Sequence, residues 1–566
     1  MKRSNWILKI LLLSAVFISV KTQAQFIPVG TPLLEDAYRR AQLLGQIDSS
    51  ISFTARPFFP TNALKLKNSF DPDSSLAKDR CRKFDGIFRF GRNKGFVQLL
   101  PITWLQQYNS HHPEGINDGA MVPARGYQTL FSGGLFAKFG PLSIQLRPEI
   151  IYAENKEYQG FPKENSDEIW ARYYWVLNSI DLPERFGEKP YNKISWGQSS
   201  IRLTFWPVSI GFSNENLWWG PGMRNALLMT NSASGFKHLT LNTVKPIRTI
   251  LGSFEGQIIS GRLEPSGYLP PESDRFYWGI RRYDPKPDDW RYFNGMILSY
   301  QPRWVPGLFL GVTRSFQVYS KDMGNSFGDY FPIFIPLGLE ADGADKEIAK
   351  KRDQHASVFM RWLWPKTHGE IYFEYGREDY FWDKRDFKLE AAYSGAYILG
   401  LRKLIPLKTR KDEYIQVNME LTQLEMNQIT VNRGGKSWYL HDMVRAGYTN
   451  EGQLLGAGIG PGSNLQTIHI SWVKGLKMFG IQFERYVHNN DFHYTYLNDV
   501  RSHWVDLSAA LLGEWNYKNL LFNVTLETVK AINYEWMYTP PPPPAYWSSG
   551  NDVFNFHGQL CVTYRF

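Results

Sequence analysis

From about residue 84 to the end of the chain, apolar and polar side chains alternate with a period of two. Leu142, Ile144, Leu146 and Ile150 interleave with Ser143, Gln145, Arg147 and Glu149. The same alternation sets Ile371, Phe373 and Tyr375 against Glu370, Tyr372 and Glu374. It recurs with Ile415, Val417, Met419 and Leu421 against Gln416, Asn418, Glu420 and Thr422, and with Phe522, Val524 and Leu526 against Asn523, Thr525 and Glu527. Such a pattern builds a sheet with one apolar and one polar face. In a soluble sandwich the apolar face meets a second sheet. In a membrane barrel it meets lipid, and the polar face lines the lumen. The region continues without a domain linker, longer than one soluble sandwich normally sustains. At roughly 25–30 residues per strand and loop it allows about 16–20 strands, an even number in bacterial single-chain barrels.

The last strand sharpens this. Leu560, Val562, Tyr564 and Phe566 alternate with Cys561, Thr563 and Arg565. A final alternating strand that closes on Phe resembles the signal by which outer-membrane barrels are handed to the barrel-assembly machinery. Tyr564 and Phe566 are expected to carry it. After residue 25 no apolar stretch is long enough for a membrane helix, so a membrane-embedded chain must cross with strands. The expected fold is all-β: a large antiparallel transmembrane β-barrel over residues 81–566, in the cell outer membrane.

Helical periodicity is clearest at residues 31–46. Thr31-Pro32 is a capping start, Leu33, Leu34, Tyr38, Ala41 and Leu44 recur at helical spacing, and Gly45 ends the run. Glu35, Asp36, Arg39 and Arg40 lie mainly elsewhere around it. Residues 25–80 read as a small, partly helical periplasmic segment. Ahead of it, Lys2, Arg3 and Lys9 precede a short apolar run at 10–20, and Thr22-Gln23-Ala24 offers a cleavage site. Residues 1–24 therefore read as a signal peptide, with an N-terminal anchor as the alternative.

Composition agrees with a barrel. Aromatics make up 16% of the chain, with 20 Trp, 31 Tyr and 37 Phe, while mean hydropathy is negative. Girdles at two membrane interfaces use that many rings, although a large carbohydrate-binding β-protein would too. Removing the leader takes four basic residues and no acids, lowering the formal charge from +10 to +6. That balance, with no Lys/Arg cluster, gives no nucleic-acid argument. It is compatible with an anionic partner such as an acidic polysaccharide. The two cysteines, Cys81 and Cys561, are not a disulfide framework. They would lie near the first and last strands, where either a bond or two thiols fits.

With both barrel termini in the periplasm, the loop before the last strand faces outside. It carries Tyr538, Thr539, the proline run 540–544, Tyr546 and Trp547. It reads either as a stiff external loop or as an aromatic platform for glycan. Segments 266–290 and 320–352 are further candidates for external loops.

The densest motif is GFSNENLWWGPGMRNALLMTNSASGF at 211–236. A strand ending near Phe212 runs into an ordered turn, because Pro221 lacks a donor and Gly220 and Gly222 permit tight geometry. Asn214, Glu215, Asn216 and Arg224 crowd the paired Trp218 and Trp219. Rings that cover sugar C–H faces, beside groups that bond hydroxyls, suit a glycan. The alternative is a buried turn network that stiffens the barrel. A second Gly-Pro-Gly at 460–462 has Tyr448, Asn450, Gln453 and Asn464 around it and reads as a loop folded partly into the lumen. The glycan-binding candidates are Asn214, Glu215, Asn216, Trp218, Trp219, Arg224, Tyr448, Asn450 and Trp547.

Catalytic signals are weak. There is no Gly-x-Ser-x-Gly elbow, His-Glu-x-x-His motif or P-loop. His111-His112 and the segment from His488 to His493 are local clusters. The latter reads as a solvated external loop, with a metal or acid/base site beside Asp491 and Glu484 as the alternative. Glu370, Glu374 and Glu420 could form a glycosidase pair only if their spatial separation allowed it.

The core Asn-Glu-Asn-Leu-Trp-Trp-Gly-Pro-Gly at 214–222 and the following Leu227-Leu228 resemble the signature region of the capsule assembly protein Wzi family. Residues 256–264 (GQIISGRLE), TPLLEDAYRRAQLLG and HDMVRAGYTNEGQLLGAGIGPGSN resemble the branch of that family carried by Bacteroidetes-type bacteria. The resemblance covers most of the mature chain. It implies an 18-stranded outer-membrane barrel with a helical periplasmic element. In the enteric branch it implies a lectin that helps retain capsular polysaccharide. The chain departs from that branch in length and loops, so no glycan contact is carried over. The expected function is non-enzymatic binding and assembly or retention of capsular or exopolysaccharide, without cofactor or metal, in a monomer embedded in outer-membrane lipid. A porin or glycan-export channel and an outer-membrane hydrolase are the alternatives.

Overall fold

The computed structural model describes residues 26–64, 68–72, 86–92, 94–335, 349–378, 384–389, 392–427, 436–497 and 499–566. The signal segment 1–24 and Cys81, and with Cys81 the pairing with Cys561, lie outside the described residues.

Eighteen strands close into one antiparallel barrel. They are β1 (Gly95–Asn109), β2 (Gly126–Phe139), β3 (Leu142–Leu146 with Glu149–Ala153), β4 (Tyr191–Ser195 with Ser200–Phe205), β5 (Val208–Ser213) and β6 (His238–Thr243). Next come β7 (Gly252–Leu263), β8 (Arg291–Pro302), β9 (Leu308–Tyr319), β10 (Asp353–Trp364), β11 (Gly369–Glu378) and β12 (Gly395–Pro406). The last are β13 (Tyr414–Gln423), β14 (Asn464–Lys474), β15 (Lys477–Val487), β16 (Val505–Tyr517), β17 (Leu520–Ile532) and β18 (Val553–Tyr564). Closure pairs β18 with β1, from His557 opposite Asn109 to Tyr564 opposite Ile102. Prolines explain the irregularities: Pro148 splits β3, and Pro101 sits in a register shift of β1 between Leu100 and Thr103, because neither can donate to the ladder.

Period two sorts the faces as the sequence pattern requires. Ser143, Gln145, Glu370, Glu374 and Gln416 are buried inside, while Leu146, Ile194, Leu239, Phe483 and Leu511 stand exposed on the outer wall. A closed wall of strands, most of them 10 to 15 residues long, leaves no unpaired edge and spans a hydrocarbon layer. Rings collect at one rim. Lys245 lies 3.9 Å over Trp206 there and Lys477 4.2 Å over Trp515, the geometry of side chains that reach from an apolar belt toward headgroups.

The two rims differ. One has short turns, such as those at 140–141, 475–476 and 518–519, and the other carries long loops, including 154–190, 264–290 and 533–552. Of the segments expected outside, 266–290, 540–547 and the described parts of 320–352 emerge at the long-loop rim.

Helix α1 (Pro32–Leu43) begins after Thr31 with Pro at its first position, inside the expected 31–46. Its apolar face buries Leu33, Leu34, Tyr38 and Ala41, but Arg39, Arg40 and Gln42 are buried too. The barrel explains this: α1 sits in the short-turn mouth, surrounded by wall. Leu43 packs with Leu363, Leu404, Val473 and Met478. Arg39 Nε meets Glu370 at 2.8 Å, Arg402 meets Asp36 at 2.6 Å, and Arg40 donates to the Gly475 carbonyl at 3.1 Å. The charged residues set aside as the far face of the helix are its links to the lumen wall.

Candidate functional site

Strands β5 and β6 are six residues each. The wall is low there, and loop 214–237 turns through the gap into the lumen. Trp218 and Trp219 form a two-residue ribbon with Arg56 and Ala55 of the N-terminal segment, so chain entering from the two mouths meets inside. The turn is held from below. Glu420 accepts the backbone N–H groups of Met223 at 2.8 Å, Arg224 at 3.0 Å and Asn225 at 2.8 Å, and the Tyr372 hydroxyl at 2.7 Å. Gly222 is required by this packing, since a Cβ would fall 1.9 Å from the Asn225 carbonyl oxygen.

Most of the sugar-site candidates are committed to this interior. Glu215 is fully buried and ion-paired with Arg202 at 2.5 Å. Asn214 donates to the Gly197 carbonyl at 3.1 Å, and Asn216 donates to Asn231 at 2.7 Å and to the Ala233 carbonyl at 2.9 Å. Trp218 lies under the Arg56 guanidinium at 4.4 Å. Trp219 donates to Gln257 at 2.9 Å and presses on Gly295. Arg224 forms a two-pronged pair with Glu484 at 2.9 and 2.8 Å. Tyr448 is buried, bonded to Ser315 at 2.8 Å and stacked on Tyr439. Asn450 accepts from the Glu264 N–H at 3.1 Å and donates to Ser234. The geometry therefore favours the buried turn network over an external sugar site for these eight residues. Of the nine candidates, Trp547 alone stands out in solvent, 65% exposed.

The second Gly-Pro-Gly segment follows the same course. Trp438, Tyr439, Tyr448, Leu454, Leu455 and Ile459 are buried with Trp219, Leu227 and Leu228 in the largest core cluster, which fills the lumen beneath the long-loop rim. Between this mass and α1 remains an interior cavity of about 440 Å³. Charged groups of both signs line it, among them Glu35, Arg56, Asp118, Arg147, Arg224 and Glu420.

One expectation needs correction. The segment around His488 and His493 is not a solvated loop. It forms helix α3 (Asn490–Tyr496), whose Phe492 packs against Phe161, Tyr173 and Trp536. Burial there pushes the Asp491 carboxyl up to about 7 and the His493 imidazole down to about 4, favouring the uncharged forms. The lumen carboxylates weighed as a possible glycosidase pair are each engaged by other groups. Glu370 is bound by Arg39 and Arg361, Glu374 by Ser357, and Glu420 by the turn.

The long-loop face itself offers exposed rings beside cations. Arg501 lies 4.9 Å from the Tyr538 ring and 4.9 Å from the Tyr546 ring, and Tyr546 meets Trp547 edge-on at 5.0 Å. Helix α2 (Asp167–Leu177), capped by Ser166, presents Trp175, with Lys436 at 4.2 Å and Tyr496 at 5.7 Å. The ribbon Phe276–Tyr277 with Ile280–Arg281 exposes Trp278. Arg501, Trp175 and Trp278 escaped the sequence reading. Single rings in long loops carry no periodicity, and only proximity in space makes a patch of them.

A family profile described as capsule assembly protein Wzi matches residues 111–531. A search of curated protein sequences gives no match. Among solved structures, the chain is similar to Wzi of Escherichia coli, described as an outer membrane protein involved in group 1 capsule assembly and a carbohydrate-binding β-barrel. That likeness has a TM-score of 0.60 at 12% identity and covers 96% of this chain and 100% of the other. At such identity it is a likeness of fold. OccAB2 of Acinetobacter baumannii also matches, with 10% identity over 83% of this chain and 98% of the other, but its TM-score of 0.40 carries no argument.

Proposed function

The chain belongs to the capsule assembly protein Wzi family, and from that premise we propose that it is an outer-membrane barrel that binds capsular or exopolysaccharide and helps assemble or retain it at the cell surface, without acting on it as an enzyme. On this reading the long-loop rim faces outside and the mouth holding α1 faces the periplasm. The glycan meets the exposed rings of Tyr546 and Trp547, which Arg501 braces, and the Trp175 and Trp278 patches are further contacts. The observation that carries the reading is that the Tyr546 and Trp547 rings stand in solvent on that rim, where exposed aromatic faces can cover sugar C–H faces; Arg501 braces them, donating to the Tyr546 carbonyl at 2.9 Å while ion-paired with Asp499 at 2.7 Å. The matched Escherichia coli protein's description as carbohydrate-binding supports the ligand class. The test is binding of the purified, folded barrel to surface polysaccharide extracted from its own host. Saturable binding is expected, and its absence would refute the reading. Retention of the bound polymer's chain length distinguishes binding from hydrolysis.

The channel alternative requires an open lumen. Against it stand α1 in one mouth and, beneath the other, the packed segments 214–237 and 437–463. The expected result in planar bilayers is no conductance step. Tyr564 and Phe566, whose rings meet edge-on at 5.2 Å, remain assigned to the assembly signal. The partners are then polysaccharide, outer-membrane lipid and the assembly machinery, with a monomer as the working unit.

A further inference from the structure

At the long-loop rim, the loop joining β1 to β2 and the start of strand β16 bring His112, Glu114 and Asp506 together. One ligand atom from each lies within 4.8 Å of the other two. His112 is 3% exposed and Asp506 4%, so both are withdrawn from bulk water. His112 Nε2 is buried with no hydrogen-bond partner. It points toward Glu114 Oε2 at 3.9 Å, too far for a hydrogen bond. Leaving a buried polar atom in that state costs on the order of 1–3 kcal/mol, so the geometry calls for something between them.

The surrounding contacts orient these groups as the outer contacts of a metal site do. The other ring nitrogen of His112, Nδ1, meets His111 Nδ1 at 3.1 Å, and the ring packs on Tyr534 at 4.7 Å. Asp506 Oδ2 accepts from His488 Nε2 at 2.7 Å, and its Oδ1 accepts from Trp504 Nε1 at 2.9 Å. His488 is in turn clamped between Tyr486 at 3.8 Å and Trp504 at 3.7 Å. Around Glu114 the neighbouring charges are carboxylates: Glu527, Asp506 and Glu484. Arg224 reaches this region but is engaged by both oxygens of Glu484.

We propose that His112, Glu114 and Asp506 bind one divalent transition-metal ion of the zinc type, which pins loop 110–125 to the start of β16. One imidazole nitrogen and two carboxylates form the mixed N/O donor set such ions take, with a fourth position left for water. The double positive charge matches the two carboxylates. The second His–carboxylate group of the barrel, Asp353, His355 and Glu378, is arranged differently. Its acids stand at opposite ring nitrogens, 3.5 Å from Nδ1 and 3.4 Å from Nε2, so the ring separates them.

The experiment uses the full-length barrel in detergent, stripped with chelator and titrated with Zn²⁺ by calorimetry, with Co²⁺ absorption as a report on ligand geometry. One equivalent of Zn²⁺ should bind, and His112→Ala should weaken it at least about tenfold, while His355→Gln should leave it unchanged. Folding of each variant is checked by heat-modifiable gel migration. If His112→Ala does not fold, Glu114→Gln, on the loop, carries the same expectation. The proposal is overturned if the stripped barrel takes up no Zn²⁺ or if the ligand variants bind it as tightly as the parent. It is equally overturned if Ca²⁺ binds as well as Zn²⁺ and survives loss of His112. Because the proposal concerns a loop anchor, its failure leaves the polysaccharide reading untouched.

Discussion

Glu420 is a wall residue whose work is done in a loop. Its carboxylate gathers three consecutive backbone N–H groups of the turn at 223–225. Glu420→Ala would leave those donors and the Tyr372 hydroxyl buried without a partner, at about 1–3 kcal/mol for each group that water cannot reach. The expected outcome is a barrel that still forms but whose segment 220–232 exchanges amide hydrogens faster and is cleaved more readily. Trp547 is the opposite case, a ring that touches little of its own chain. Trp547→Ala should weaken polysaccharide binding by roughly three- to tenfold, the scale of a lost aromatic contact of about 0.5–1.5 kcal/mol, with no change in folding. The sequence marked both Trp547 and the Trp218–Trp219 pair as sugar candidates, and it could not separate them. Period two tells inside from outside only along a strand. In a turn broken by Gly220, Pro221 and Gly222 there is no such code, and the low wall at β5 and β6 decides that the Trp pair points inward.

At the scale of elements, the strands were legible and the plug was not. Alternation placed Ser143, Gln145, Glu370 and Glu374 on one face and Leu146 and Phe373 on the other, as found. The capping Thr31-Pro32 placed α1 within a few residues. Nothing in the helix's own sequence says that Arg39, Arg40 and Asp36 face a wall instead of water. Those partners come from residues more than 300 positions away, such as Glu370 and Arg402. The element-level prediction follows from that packing. Deleting residues 26–64 should turn a non-conducting barrel into one with conductance steps in planar bilayers, if α1 and its following segment close the short-turn mouth. Deletion without any gain in conductance would show that the inward loops alone seal the lumen. At the other end of the chain, Phe566→Ala should lower the fraction of folded barrel recovered from the outer membrane several-fold while the protein refolds normally in detergent. Equal recovery would remove Phe566 from the assembly signal.

For the whole molecule, a closed wall, an occupied lumen and one rim of exposed rings describe a surface for holding a polymer more than a passage for it. The family match points the same way, toward capsule. The most direct measurement is the partition of surface polysaccharide between cells and medium in the host with and without this gene. The account predicts that capsule is still made but passes into the medium when the protein is absent, and that the intact gene restores it to the cells where a variant carrying Arg501→Ala, Tyr546→Ala and Trp547→Ala does not. Capsule that stays bound to cells lacking the protein would contradict it.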